Sequence, residues 1–257
     1  MIIYSNILLL CAFFVFAIFF GLSPNMIRFE DVEEVKMIMG FSKSKSTIPH
    51  MLLTSVLIVN SPQLLYSMVY FQWNSIFTSM LMSREWSAFG IERKSLRVSS
   101  NPGGHQRSDY FLNLPYRYSL PLMAISALSH WLLSQGVFII AMERIERATG
   151  VIGWEIMSCG VSVGFILVIL CLTLALHAWI FISGTCRRFP SAMPVAGSCS
   201  LTIAAACHHP EGGPHPETSL GYVKWGVMKN PDVGGGIGHC GFSCELVDEP
   251  QRWGMYA

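Results

Sequence analysis

Four polar residues sit inside otherwise uncharged apolar runs. Asn60 and Gln63 are three apart, a spacing that puts them on one face of a helix. His130 and His177 occupy two later runs, the first together with Gln135. A polar or ionisable group at membrane depth is costly and by default marks an ion or substrate path. The plainer role is interhelical hydrogen bonding that holds a bundle together. No Asp, Glu, Lys or Arg interrupts these runs. Coupled transport normally draws on such a charge, so the bundle-holding role is favoured.

A second set is basic. Residues 84 to 121 hold six of the seventeen Lys and Arg (Arg84, Arg93, Lys94, Arg97, Arg107 and Arg117) against Glu85, Glu92 and Asp109. Arg93, Lys94, Arg97 and Arg107 are candidates for binding anionic lipid headgroups, at about 1 kcal/mol each near a surface. Ser95, Ser99 and Ser108 each follow a basic residue closely, and a phosphate on them would weaken that attraction. Asn101-Pro-Gly-Gly-His-Gln-Arg107 has the glycines and the cation to cradle a phosphate. It lacks the GK[ST] ending of a nucleotide-binding loop, and a solvated loop is favoured. Cys199, Cys207, His208, His209, His239, Cys240 and Cys244 are zinc-ligand types, yet only the Cys240 and Cys244 spacing suits a site. Neither a metal nor a cofactor is assigned. With no Gly-x-Ser-x-Gly and no acid placed beside a His, the chain is not expected to be an enzyme.

These residues depend on long apolar runs for their position. Of the 257 residues, 52% are hydrophobic and 13% charged, against about 25% charged in soluble domains. Runs at 2–22, 51–82, 119–141 and 158–183 each reach the roughly 20 residues that cross a bilayer. The first has no basic leader and ends in Phe19-Phe20-Gly21, so it reads as a retained span rather than a cleaved signal. The second is interrupted by Asn60-Ser-Pro-Gln63. It reads as a lead-in over 51–59 and a main span from Leu64 to about Met82, or as one long kinked helix. Gly160 and Gly164 open the fourth run as a GxxxG pattern, which suits helix–helix self-association. Between the first two runs, Phe29 to Met39 has helical apolar spacing, readable as an interfacial helix or a solvated connector.

Charge sets the orientation. The basic stretch and Arg187-Arg188 fall on the same side of this layout, which the positive-inside rule makes cytosolic. Arg28, Lys36, Lys43 and Lys45 pull modestly the other way. Basic residues tied to a membrane face argue against nucleic-acid binding. Residues 184–257 include HHPEGGPHPE and read as a largely flexible cytosolic tail, with two β-prone runs that could pair as a hairpin. The expected fold is an all-α membrane protein of four transmembrane helices, with a transmembrane region over 1–183 and a weakly structured tail over 184–257.

Several runs carry a family resemblance. They include Asn60-Ser-Pro-Gln-Leu-Leu65, Arg93-Lys-Ser-Leu-Arg-Val-Ser99, Tyr110-Phe-Leu-Asn-Leu-Pro-Tyr-Arg-Tyr118, His130-Trp-Leu-Leu-Ser-Gln135, Met193-Pro-Val-Ala-Gly-Ser-Cys-Ser200 and Gly238-His-Cys-Gly-Phe242. In these the chain resembles a family of fungal multi-pass membrane proteins of unknown function, whose members usually carry a larger N-terminal region. The resemblance covers roughly 48–257. It implies a membrane location and a span layout, and it brings no activity, ligand or catalytic residue. The function expected from the whole is a membrane-anchored scaffold or regulatory protein that meets anionic headgroups at the cytosolic face. The alternative is a transporter or channel subunit working through Asn60, Gln63, His130 and His177.

Overall fold

The computed structural model describes residues 15, 26–28, 35–42, 48–98, 101–110, 114–145, 152–186, 188–189, 191–208, 218–228, 238–251 and 254–256, with backbone alone at 26–28, 35–42, 48–51, 141–145 and 152–158. Two compact units emerge, each built from two separate stretches: Met1–Ser75 with Arg117–Phe181, and Ile76–Tyr116 with Ile182–Ala257.

Three long helices dominate: α1 (Ile48–Ala88), α2 (Tyr116–Gly136) and α3 (Val163–Cys186). Helix α1 runs unbroken through Pro62, so lead-in and main span are one element. Proline offers no N–H to the carbonyl four residues back, here Ile58. The Ser61 hydroxyl donates to the Ile58 carbonyl at 2.8 Å, and Asn60 Nδ2 donates to the Val56 carbonyl at 2.7 Å. The Ser61 hydroxyl thus satisfies the carbonyl that the proline would leave open, which is how helices tolerate proline away from water.

The expected all-α architecture of four spans does not hold. Strands β1 (Met26–Arg28), β2 (Val35–Ser42), β6 (Val137–Ile145) and β7 (Ile152–Ser162) form a four-stranded sheet in the order β1-β2-β7-β6, with every pairing antiparallel. The third apolar run leaves the helix at Gly136 and continues as β6. The fourth begins as β7 and becomes helical only at Val163. Phe29 to Met39 contributes to β2 rather than to a helix. Among the described residues, two helices, over Leu52–Ala88 and Val163–Cys186, are long and apolar enough to cross a membrane. The span expected at 2–22 lies outside the described residues.

Local composition permits the switch and strand pairing fixes it. Val137-Phe-Ile-Ile140 is β-branched and aromatic, and apolarity alone cannot tell such a run from a buried helix. It pairs with β7 in the register Val137↔Val161 and Phe138↔Gly160. A Cβ on Gly160 would meet the Phe138 ring at 2.5 Å, so this glycine admits the ring. Gly160 therefore belongs to a strand and Gly164 to the first turn of α3, and the expected self-association pair shares no helix face. Val137 and Val161 are buried and pack against Ile58 and Val59 of α1 and Ile166 of α3. The sheet thus meets the N-terminal half of α1, the C-terminal end of α2 and the N-terminal end of α3.

The second unit holds short strands β3 (Lys94–Ser95), β4 (Arg97–Val98) and β5 (Arg107–Ser108), then α4 (Ser200–Cys207), β8 (Tyr222–Met228) and β9 (His239–Ser243). The described part of the C-terminal region is therefore folded, not a flexible tail. The β-prone runs pair antiparallel as β8 and β9, and β3 from the basic stretch adds to β8. Two strands alone would be barely stable. A third strand and an apolar cluster of Phe89, Met193, Ala206, Val223, Trp225 and Phe242 supply the rest. Phe242 packs edge-on against both Trp86 and Phe89 at 5.4 Å.

Candidate functional site

Two side-chain clusters carry chemistry, one in each unit. The first lines the interior of the three long helices. Tyr66 and Trp73 of α1 are fully buried, and they face Ser129 of α2 and Thr173 of α3, also buried. The Tyr66 hydroxyl donates to Ser129 Oγ at 2.8 Å. His130, Tyr66, Trp73 and His177 form a ladder of edge-to-face rings, spaced 5.3 to 5.8 Å. Counted from Val59, which packs against the sheet, Tyr66 lies seven residues along α1 and Trp73 fourteen; Ser129 lies seven residues from Gly136 at the end of α2, and His177 fourteen from Val163 at the start of α3. At 1.5 Å per residue these are depths of roughly 10 and 20 Å. Matching depths are what one antiparallel and one parallel helix pair require to meet.

His177 shows what the cluster does. Its Nδ1 lies 2.9 Å from the Thr173 carbonyl, and its Nε2 lies 3.3 Å from the Trp73 indole nitrogen. The carbonyl accepts only and the indole N–H donates only. Both contacts are satisfied by the neutral ring carrying its proton on Nδ1. A second proton on Nε2 would face the indole hydrogen. The geometry suits a fixed neutral bridge better than a proton relay. His130 Nε2 lies 3.4 Å from Ser67 Oγ, and Ser67 in turn donates to the Gln63 carbonyl at 3.0 Å. Gln63 thus connects to His130 through Ser67, one turn further along α1. Asn60 is exposed and bonds back to its own helix. Of the four intramembrane candidates, the structure links His130 and His177 across helices.

The second cluster is built on Glu85, in the last turn of α1. Strands β4 and β5 pair in parallel with Arg97 opposite Arg107. Like charges side by side repel, and one carboxylate oxygen of Glu85 answers both guanidinium groups at 3.1 Å. Arg97 also donates to the Ser108 carbonyl at 2.6 Å and lies over the Tyr110 ring at 3.9 Å. Arg107 donates to the Ser95 carbonyl at 3.0 Å. Arg93 bonds the carbonyls of Cys244 and Glu245, and Lys94 pairs with Glu92 at 2.6 Å. All four headgroup candidates are therefore engaged by the protein itself, with the Arg107 side chain the most open of those in the Glu85 cluster, at 42% exposure.

The glycine loop is likewise committed. The amides of Gly103, His105, Gln106 and Arg107 donate to Gln106 Oε1, the Leu220 carbonyl, the Gly103 carbonyl and the Leu96 carbonyl. Gln106 Nε2 holds the Ser219 carbonyl at 2.9 Å. Gly104 has φ +55, and a Cβ there would meet the Leu220 carbonyl oxygen at 2.8 Å. The His105 amide and the Gln106 side chain staple the loop to the turn Thr218–Leu220, and the other amides bond within the loop or to Leu96 instead of facing an anion. Ser95 is buried in β3 and Ser108 is exposed, while Ser99 and His209 lie outside the described residues.

Among the described residues no three His, Cys, Asp or Glu side chains gather as a metal site. The His208 and His239 rings stand 5.3 Å apart, and His239 Nε2 contacts the His208 carbonyl at 2.9 Å. Burial pushes the Cys240 thiol up, which opposes the thiolate form that a metal needs.

Sequence reasoning missed Glu85, Tyr66, Ser129, Ser67, Trp73 and Thr173. Hydroxyl and indole groups repeating along uncharged runs were the available signal. Glu85 was visible only as one acid among many cations.

The chain matches a family described as a domain of unknown function, DUF8419, over residues 4–245. That description names neither a taxon nor a membrane topology. No curated protein and no solved structure matches. Since the match spans nearly the whole sequence, this chain belongs to the DUF8419 family.

Proposed function

We propose that this protein is a membrane-anchored scaffold, with α1, α2 and α3 crossing a bilayer and the second unit as its working surface on the cytosolic side. One observation carries the reading: the long helices leave many large apolar side chains exposed, while hydroxyl groups such as those of Tyr66, Ser129 and Thr173 are buried among them. Only 17% and 11% of the most apolar windows of α1 and α3 are buried. Leu57, Leu64 and Phe71 of α1, and Leu167, Val168 and Phe181 of α3, are all more than half exposed. In water such a surface is an aggregation hazard, whereas in lipid it is the solvated face.

Lengths and directions agree. Along α1, from Val59 at the sheet to Met82 before Arg84, the rise is about 35 Å, close to a ~30 Å hydrocarbon core. Helices α1 and α3 both start at the sheet and run the same way. Two such crossings need a return between them, and α2 runs back toward the sheet. Open sheet edges do not occur in hydrocarbon, so the sheet belongs on one side of the bilayer. By helix direction, the C-terminal ends of α1 and α3 fall on one side of the bilayer. That side carries Arg84, Arg93, Lys94, Arg97, Arg107, Arg187 and Arg188, which favours the cytosol.

The transporter or channel reading is less well supported. Tyr66 and Ser129, and Trp73 and His177, use their hydrogen bonds on one another, and no charged residue occurs from Ile48 to Ser83 or from Val163 to Cys186. The test uses the full chain in sealed membranes. It should stay in the pellet after alkaline carbonate, and exposed Cys244 should react with an impermeant maleimide added to the cytosolic face. Release by carbonate would overturn the membrane reading. Labelling of Cys244 only from the opposite face would reverse the orientation.

A further inference from the structure

We propose that α4 and the segment before it form an interfacial foot, whose outer face lies in the headgroup layer of the bilayer that the long helices cross. The inference rests on the membrane reading above and deepens it by assigning a second, peripheral lipid contact.

The segment differs from an ordinary surface. From Phe189 to Pro210 there is no Asp, Glu, Lys or Arg. Helix α4 buries Ala206 against the cluster containing Phe89 and Trp225. At 100° per residue the arc opposite Ala206 centres on Ala204 and Leu201. Leu201 is 79% exposed, and Phe189, Val195 and Ile203 are exposed as well. The outward face of a helix on a water-facing domain is normally charged or polar. This one offers only methyl, hydroxyl and thiol groups.

Its level explains the composition. The Trp86 indole donates to the Pro194 carbonyl at 2.9 Å, and Ser87 and Ser191 share a hydrogen bond at 2.9 Å. Trp86 and Ser87 lie within one turn of Arg84, the first charge after the long uncharged run of α1. That is the depth at which tryptophans and basic residues mark a membrane boundary. Packing of residues 191–194 against this turn holds the segment at the same level. Arg187 and exposed Arg188 directly precede it, giving a cationic edge that suits anionic headgroups. Apolar side chains beside a basic edge at interface depth are the pattern of an element lying in the headgroup region. A bilayer with anionic lipid is the partner this chemistry fits.

The test uses the full chain in proteoliposomes of phosphatidylcholine and phosphatidylserine, containing a phospholipid with a shallow diazirine. After illumination, lipid adducts are mapped by mass spectrometry. Adducts are expected on the peptide holding Leu201 to Ala205 and on α3 around Leu167. Leu201→Glu should lower the first about threefold or more and leave the second unchanged. If Leu201→Glu does not fold, the wild-type map alone decides. Adducts on α3 without any on α4 would overturn the foot and leave the membrane reading intact. Adducts on neither would sink both. An adduct-free α4 in a protein that sediments as a dimer would assign the face to a second copy and also overturn the proposal.

Discussion

Trp73 and Trp225 are both buried, in opposite kinds of surroundings. Trp73 has His177 and Tyr66 against it and gives its indole hydrogen to an imidazole. Trp225 sits with Phe89, Val223 and Phe242 in an apolar cluster. The first unit buries hydrogen-bonded Tyr66, Ser129 and Trp73 beside Val69 and Leu133, and leaves Leu64, Phe71 and Val168 exposed. The second puts aromatics inside and ion pairs outside. Interior chemistry is set by what the exterior can dissolve. Where lipid already solvates apolar side chains, burying them gains little, and polar contacts and close packing hold the helices. Where water surrounds the fold, the hydrophobic effect supplies the core.

A graded set of substitutions probes that contrast. The largest effect is expected for Phe242→Ala, which removes the ring between Trp86 and Phe89. Losses at such core aromatics run to about 3–5 kcal/mol. Limited proteolysis in nanodiscs should then cut within 191–250 and spare 52–75, and equal sensitivity of both stretches would break the two-unit picture.

Next comes a pair of matched changes at exposed leucines. Leu174→Arg at the middle of α3 should oppose membrane insertion by about 2.5–3.5 kcal/mol. Leu246→Arg, at a side chain 80% exposed, should change stability by less than ~0.5 kcal/mol. An insertion assay in microsomes reads the first, and thermal unfolding reads the second. Indifference at position 174 would show that the exterior of α3 faces water.

Glu85→Gln should have a middling effect. It leaves Arg97 and Arg107 adjacent without their shared counter-charge. These groups are partly open to solvent, so the loss should be about 1–2 kcal/mol. It should shrink when Arg107→Gln is added, because the repulsion goes too. Additive losses in that double-mutant cycle would mean the three groups are uncoupled.

Tyr66→Phe should be milder than Glu85→Gln. Single interhelical hydrogen bonds in membranes average about 0.6 kcal/mol, with a ceiling near 1.7. Reversible unfolding in bicelles measures it. A loss near that of Phe242→Ala would mean that the ladder, not general packing, holds the helices.

Much of the helical region could be read from the amino-acid order. The uncharged stretch containing Pro62 and the Leu-rich stretch around His177 announced α1 and α3 by length and composition. The limits of those helices were less legible. Val137 to Ile140 is as apolar as the helix before it, Ser158 to Ser162 is uncharged like the helix after it, and neither carries a period that separates strand from helix. Only a partner strand in register, with Gly160 opposite Phe138, made extended backbone the better state. The intramembrane candidates were visible as polar residues in apolar runs, although Asn60 bonds only its own helix. Their partners were not visible, because Ser67, Ser129 and Thr173 differ little from any other helical hydroxyl.

The C-terminal half shows the opposite balance. Its Gly, Pro and His content masks a fold, since the residues that close its core lie more than a hundred positions away at Trp86 and Phe89. The basic stretch invited a reading as a free charge patch, whereas Arg93 and Arg97 are bound into the unit. Sequence alone determined which stretches avoid water, because that follows from side-chain transfer energies, residue by residue. Tertiary structure alone decided which of them became strands, which cations stayed free and which polar groups met. Those outcomes depend on a partner distant along the chain, and pairing energy exists only once both halves of a contact are in place.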